Sequence, residues 1–161
     1  MHRVRQFVAH VRAQVTAEEE NLAHRVLPPD AARLFATMPV ADRRHALDVS
    51  GRLLAAGHDD PDLVCAALLH DAAKGHRMRL WHRVAGVLLE RATPGLLRRV
   101  ASPEPNSWRH PFHLYLHHAS LSAEMATAAG CGPRTGAFIR GTGDGADARL
   151  QRALTEADDA S

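Results

Sequence analysis

The 161-residue sequence contains little cysteine, little lysine and no long apolar run. Its two cysteines, Cys65 and Cys131, stand alone without CxxC spacing, which argues against a disulfide framework and a thiolate zinc site. A membrane span needs roughly 18 consecutive apolar residues, and no such run is present. Residues 1–6 carry charge with no apolar region after them, so no signal peptide is expected. These absences favour a cytoplasmic protein with no membrane partner.

The charge balance excludes another class of partner. The formal net charge is only +2 when the histidines are neutral, so electrostatics alone do not predict a nucleic-acid-binding protein. With 45% apolar and 24% charged residues, the composition is that of an ordinary globular protein. The unusual count is histidine, with twelve residues.

Helix signals follow one another along the whole chain. Thr16 and Glu19 form a T-x-x-E capping box, and Asp60-Pro61 places an N-cap residue before a proline at the first helical position. Apolar periodicity predicts further helices over residues 4–11, 39–57, 111–128 and 146–159. No segment alternates long enough to indicate a strand. We therefore predict an all-α, single-domain helical bundle over residues 1–161, with N-terminal helices in 1–38 and a core holding the candidate site in 39–161.

One apolar helix runs directly into a histidine and an aspartate. Residues 63–69 are all apolar and are followed by His70 and Asp71. A carboxylate beside a buried segment costs several kcal/mol unless something compensates its charge. Two adjacent metal-type donors suggest that a cation does so. The alternative is a satisfied core histidine next to an N-terminal-facing carboxylate.

Lys74, three residues after Asp71, is the only lysine among twenty basic residues. A compact ammonium suits a point-charge contact with a phosphate oxygen, whereas the planar guanidinium of arginine favours paired contacts. The alternative is a chance lysine that interacts with the last carbonyls of its helix.

Further donors are predicted to face inward. His45 shares an i, i+4, i+8 row with Val49 and Leu53. In the last helix, an apolar stripe places Asp158 at its inward border and Asp159 in solvent; the stripe consists of Leu150, Ala153, Leu154 and Ala157.

The helix over 111–128 carries a strip of histidines. Leu114, Leu121 and Met125 mark its predicted inward stripe. His118 falls within the stripe and His117 at its edge, while most of the neighbouring histidines, including His110 and His113, are predicted to be surface or loop residues. Several inward histidines together with two inward carboxylates favour a metal site, because each would otherwise need its own buried partner.

The ordered set of these residues resembles the HD-domain phosphohydrolases. His70-Asp71 with Lys74-Gly75 is close to the HD-x-x-K-G form of that superfamily, and the residues up to Asp158 are close to its final-aspartate segment. The resemblance implies one divalent ion bound by His45, His70, Asp71 and Asp158. It further implies hydrolysis of a phosphate ester, a nucleotide or a related small phosphorylated molecule. Lys74, His118 and Asp71 would be the catalytic residues.

The chain departs from the superfamily at one segment. Two-metal members carry a His-His pair after the position of His118, but residues 138–144 read FIRGTGD and no histidine follows His118. This departure argues against a second metal. Two imidazoles and two carboxylates suit Mn²⁺, Co²⁺, Ni²⁺, Fe²⁺, Zn²⁺ or Mg²⁺, and the sequence does not distinguish among them.

Two other functions remain open at this stage. The chain could be a catalytically degenerate HD domain that binds a metal or nucleotide as a regulatory module. It could also be a helical interaction protein whose histidines are structural. A homodimer is compatible with each of these functions.

Overall fold

The structure, a computed structural model, describes residues 14–76, 78 and 80–161. Every regular element in these residues is helical, which confirms the all-α prediction. The helices are α1 (Ala17–Val26), α2 (Pro29–Thr37), α3 (Val40–Ala55), α4 (Pro61–Leu69), α5 (Leu80–Ala92), α6 (Pro94–Val100), α7 (His110–Ala128), α8 (Pro133–Arg140) and α9 (Ala148–Asp159), and a 3₁₀ turn (Gly145–Asp147) precedes α9. The helix predicted over residues 4–11 lies outside the described residues.

The helix starts that the sequence predicts are confirmed. The Glu19 N–H donates to Thr16 Oγ1 at 3.3 Å, and the Thr16 N–H donates to Glu19 Oε2 at 2.9 Å, so both halves of the capping box form. Asp60 Oδ1 accepts from the backbone N–H groups of Asp62 and Leu63 at the start of α4. These local bonds satisfy N–H groups that have no partner inside the helix.

The predicted stop of α3 at Gly57 is also confirmed. Gly57 has a φ of +81°, in the left-handed region that glycine adopts without steric cost. The reversal lets the His58 N–H donate to the Leu53 carbonyl at 2.9 Å. The chain can therefore turn at once into α4.

Helix α4 lies at the centre of the fold. It packs against α1, α2, α3, α7, α8 and α9. All residues from 63 to 69 are buried, which explains why this segment is apolar on every face. Cys65 is one of these buried residues, as predicted. Because α4 is surrounded, the residues at its carboxyl end emerge among several other helices.

The inward stripe of α7 differs from the prediction at its end. Met125 is 39% exposed, whereas Ser122, Ala123 and Ala126 are fully buried. The helix turns these small side chains toward its neighbours, and α8 is its main packing partner. Small side chains therefore form the buried face of this part of the helix, and Met125 lies off that face. None of the helices in the described ranges is long and apolar enough to span a bilayer.

Candidate metal centre

The site begins where α4 ends. His70 has helical dihedral angles, and residues 71–76 form turns that carry the chain away from the helix. The turn is anchored from outside, because the Ala73 N–H donates to Ser122 Oγ of α7 at 3.0 Å. Ser122 is fully buried, so this bond is shielded from water. The His70-Asp71 segment is thereby held in a fixed orientation.

Helices α3 and α9 bring two further predicted ligands to this turn. His45 Nε2 lies 2.8 Å from Asp158 Oδ1, and His70 Nε2 lies 3.4 Å from the same oxygen. Ligand atoms of His45, His70 and Asp158 all lie within 4.8 Å of one another. Three of the four predicted metal ligands therefore lie close together, although His45 and Asp158 are 113 residues apart in the sequence.

The spacing of the two imidazoles fits a shared ion. A metal about 2.1 Å from an imidazole nitrogen lies about 3.2 Å from the ring centre, so two rings at a tetrahedral angle have centres about 5.2 Å apart. The ring centroids of His45 and His70 are 5.3 Å apart. The two rings could bind one ion with little movement.

Two buried atoms beside this cluster have no hydrogen-bond partner among the described residues. They are His70 Nε2 and Asp71 Oδ1, which lie 3.6 Å apart. The other nitrogen of His70, Nδ1, donates to the Ala67 carbonyl at 2.9 Å, which directs Nε2 toward the carboxylates. Leaving a buried polar atom unpaired costs about 1–3 kcal/mol, so these atoms fit a cation that both could bind.

The charges of the cluster also suit a divalent cation. Burial lowers the pKa of His70, but Asp71 and Asp158 outweigh burial and raise it to about 9. Burial raises the pKa of Asp158, but the hydrogen bond with His45 and the close approach of His70 outweigh it, and the pKa falls well below its ordinary value. With its raised pKa, His70 carries an additional proton at neutral pH, and a metal ion that bound the imidazole would displace that proton.

Asp71, the fourth predicted ligand, lies outside the compact group of three. Its side chain is 1% exposed, and its second oxygen, Oδ2, accepts from Lys74 Nζ at 2.6 Å. Burial raises the pKa of Asp71, but the charges of His70 and Lys74 hold it well below the ordinary range. Asp71 therefore stays ionised, with Oδ2 paired to the lysine and Oδ1 directed toward His70.

Lys74 thus contacts a carboxylate, in place of the helix carbonyls that were the alternative at the sequence level. Its side chain is 19% exposed, and an ammonium has three donors, of which Asp71 takes one. Since Lys74 has no other hydrogen-bond partner in the part of the chain that the structure describes, its two other donors could bind a second oxygen.

His118 lies on α7, close enough to Asp71 and Lys74 for their charges to shift its pKa. Burial and then Lys74 lower that pKa, so the imidazole is neutral at pH 7. Its Nδ1–H donates to the Tyr115 carbonyl at 2.9 Å, which leaves Nε2 as an acceptor. His118 is therefore set up as a neutral base beside the cluster.

The sequence did not reveal two contacts of this site. The bond from Ala73 to Ser122 joins residues 49 positions apart, and the pairing of Lys74 with Asp71 depends on how the chain turns after α4. Neither leaves a periodic or compositional signal. The arginines that flank His45 have structural partners: Arg43 pairs with Glu20, and Arg44 pairs with Glu19 and Asp48.

Comparison with known proteins adds no assignment to this site. The chain matches no family model, no curated protein and no solved structure.

Proposed function

We propose that this chain is a metal-dependent phosphohydrolase of the HD-domain type, acting on a phosphate ester such as a nucleotide or a related small phosphorylated molecule. The observation that carries the proposal is the convergence of His45, His70 and Asp158 beside the unpartnered Oδ1 of Asp71. The order of these residues along the chain is that of the superfamily named above. Their mixed imidazole and carboxylate chemistry suits a divalent ion.

The chain's own residues supply the other parts of a hydrolytic site. A divalent ion bound by His45, His70 and Asp158 would act as a Lewis acid and bring the pKa of its water toward neutrality. His118 can accept a proton at Nε2 and return it to the leaving oxygen. Lys74 can donate to a phosphoryl oxygen through the protons that Asp71 leaves free, which would stabilise charge on that oxygen in the transition state.

An open cavity near the His-Asp turn supports a nucleotide substrate. It has a volume of about 670 Å³, and His76, five residues after Asp71, is one of the residues that line it. Both tryptophans of the chain, Trp81 and Trp108, line it together with the polar Asn106. Aromatic faces beside an amide suit a flat heteroaromatic ring, which stacks on the aromatic surface and hydrogen-bonds at its edge.

One observation favours the alternative of a regulatory module without turnover. Lys74 Nζ is engaged by a fully buried carboxylate at 2.6 Å, so a substrate phosphate would have to share it. In such a module, a nucleotide would bind in the presence of metal and be recovered intact.

A panel of phosphomonoesters and nucleotides, tested with Mn²⁺, Ni²⁺, Zn²⁺ and Mg²⁺, separates these functions. We expect metal-dependent phosphate release that His118→Gln reduces by about 10²–10⁴-fold, because general acid–base catalysis is lost while metal binding is kept. The matched control is His24→Gln, which changes an exposed histidine of α1. If no substrate is hydrolysed with any metal, yet a nucleotide quenches the tryptophan fluorescence, the chain is a regulatory module without turnover.

A further inference from the structure

Three histidines form a row on one face of α7, apart from the cluster described above. They are His110, His113 and His117, spaced i, i+3 and i+7. The rings of His113 and His117 have centroids 4.5 Å apart, and those of His110 and His113 are 5.8 Å apart. We call these three residues the histidine row. None of the three has a role in the proposed chemical step, although His110 also lines the cavity that contains Trp81 and Trp108.

The spacing of the row matches a chelating pair. Two imidazoles that bind one ion at an angle of about 90–110° have ring centres about 4.5–5.2 Å apart, given metal–nitrogen distances of about 2.1 Å. The His113 and His117 rings fall within that range. They are four residues apart on a helix, the spacing at which two histidines of one helix share a zinc ion in other proteins. A small rotation of the rings would direct both nitrogens to one point.

His110 lies at the end of the row and does not belong to the chelating pair. Its ring lies farther from His113 than a shared ion requires, and the two rings are nearly parallel. Its Nδ1 lies 3.3 Å from the Ser102 carbonyl. In the described residues, the group of three donor side chains within 4.8 Å of one another is the separate cluster of His45, His70 and Asp158.

The protonation state of His113 is also suitable for metal binding. Burial, followed by the charges of His117 and His110, lowers the pKa of His113 below its ordinary value. A metal ligand must be the neutral imidazole, so His113 loses no proton on binding at neutral pH.

We propose that His113 and His117 form a second and separate site for a borderline transition-metal ion such as Cu²⁺, Ni²⁺ or Zn²⁺, with water at the other positions of the ion. The two side chains offer imidazole nitrogens and no hard oxygen donor, so the site selects against Mg²⁺. Because its ligands are different residues, this proposal stands whether or not the cluster around His70 hydrolyses phosphate esters.

An ion at this site would act on α7. By joining residues one helical turn apart it stabilises the N-terminal half of the helix. The same helix presents His118 and the Ser122 hydroxyl to the His-Asp turn. Occupancy of the histidine row therefore stiffens the element that supports the first cluster, without contacting that cluster.

The test is a Ni²⁺ titration of the full chain, followed by calorimetry and by the melting temperature. All variants are made in the Asp158→Ala protein, in which the metal affinity of the His45, His70 and Asp158 cluster is lowered. We expect this protein to keep one Ni²⁺ equivalent that raises its melting temperature. Adding both His113→Ala and His117→Ala should abolish binding of that Ni²⁺ ion. Either change alone should lower the Ni²⁺ affinity by about tenfold or more, because the remaining histidine no longer has a second imidazole held close to the ion.

Two controls keep the result interpretable. His24→Ala with His58→Ala removes the same number of imidazoles, one from α1 and one from the connection between α3 and α4, and should leave Ni²⁺ binding unchanged. His113→Gln with His117→Gln keeps side chains of similar size, so a loss of binding cannot be assigned to misfolding when the helical circular dichroism is retained.

The proposal is overturned if the Asp158→Ala protein binds no Ni²⁺, or if it binds Ni²⁺ equally well without His113 and His117. If the wild-type chain binds a single Ni²⁺, and this binding requires the histidine row but not Asp158, the second site is supported. The metal site on which the proposed hydrolysis depends is then contradicted.

Discussion

Asp158→Ala is expected to lower the affinity of the His45, His70 and Asp158 cluster for Mn²⁺ by about 100-fold or more. Groups that only hydrogen-bond to metal ligands contribute about 10–100-fold to metal affinity, and a carboxylate that contacts both histidines contributes at least as much. Asp158 Oδ1 is the one atom within 3.4 Å of both His45 Nε2 and His70 Nε2 among the contacts of this cluster. Isothermal titration of the metal-free chain measures the change.

Asp159→Ala is the matched control for this variant. Asp159 carries the same charge one residue later but is exposed on the outer face of α9, so its removal should leave the Mn²⁺ affinity nearly unchanged. Equal effects of the two substitutions would show that only the overall negative charge matters. The reverse ranking would show that α9 presents a different face to the site.

Lys74→Met is expected to lower the free energy of unfolding by about 3–5 kcal/mol in the presence of a chelator, because it removes one partner of a buried ion pair. Asp71 is 1% exposed, and Lys74 is the cation bound to its Oδ2. Methionine keeps much of the length of the lysine stem but supplies no charge. Added Mn²⁺ should restore part of the stability, since a cation at the cluster also lies near Asp71. Urea denaturation with and without Mn²⁺ measures both effects.

The double variant Asp71→Asn with Lys74→Met tests the cause of that loss. Removing both charges leaves no buried unpaired carboxylate, so the double variant should be more stable than Lys74→Met alone. A Lys74→Met protein as stable as wild type would show that the pair contributes nothing to folding. Lys74 would then be free to serve only the substrate phosphate.

The position of Asp158 could be predicted from the sequence because α9 has a regular apolar stripe. The stripe, completed by buried Leu154 and Ala157, fixes which face of the helix turns inward, and 100° per residue then separates Asp158 from Asp159. The starts of α1 and α4 were predictable for a similar reason: their caps are bonds between residues two or three positions apart.

The partners of Lys74 and Ala73 could not be predicted in this way. Lys74 pairs with Asp71 only because the chain leaves α4 in a tight turn, and Ala73 meets Ser122 only because α7 packs beside that turn. Met125 was misplaced because periodicity counts it as apolar, whereas the buried face of the C-terminal half of α7 consists of the small side chains of Ser122, Ala123 and Ala126. These features depend on tertiary packing, which a linear pattern does not encode.

The most direct test of the metal centre is anomalous X-ray diffraction from crystals of this chain grown with Mn²⁺. A peak at the manganese edge is expected between His45 Nε2, His70 Nε2 and Asp158 Oδ1, about 2.0–2.3 Å from each, with Asp71 Oδ1 nearby. Crystals of Asp158→Ala grown under the same conditions should lack it. Manganese bound elsewhere in the wild-type crystals, with no peak between these three side chains, would contradict the assignment of a metal site at the end of α4.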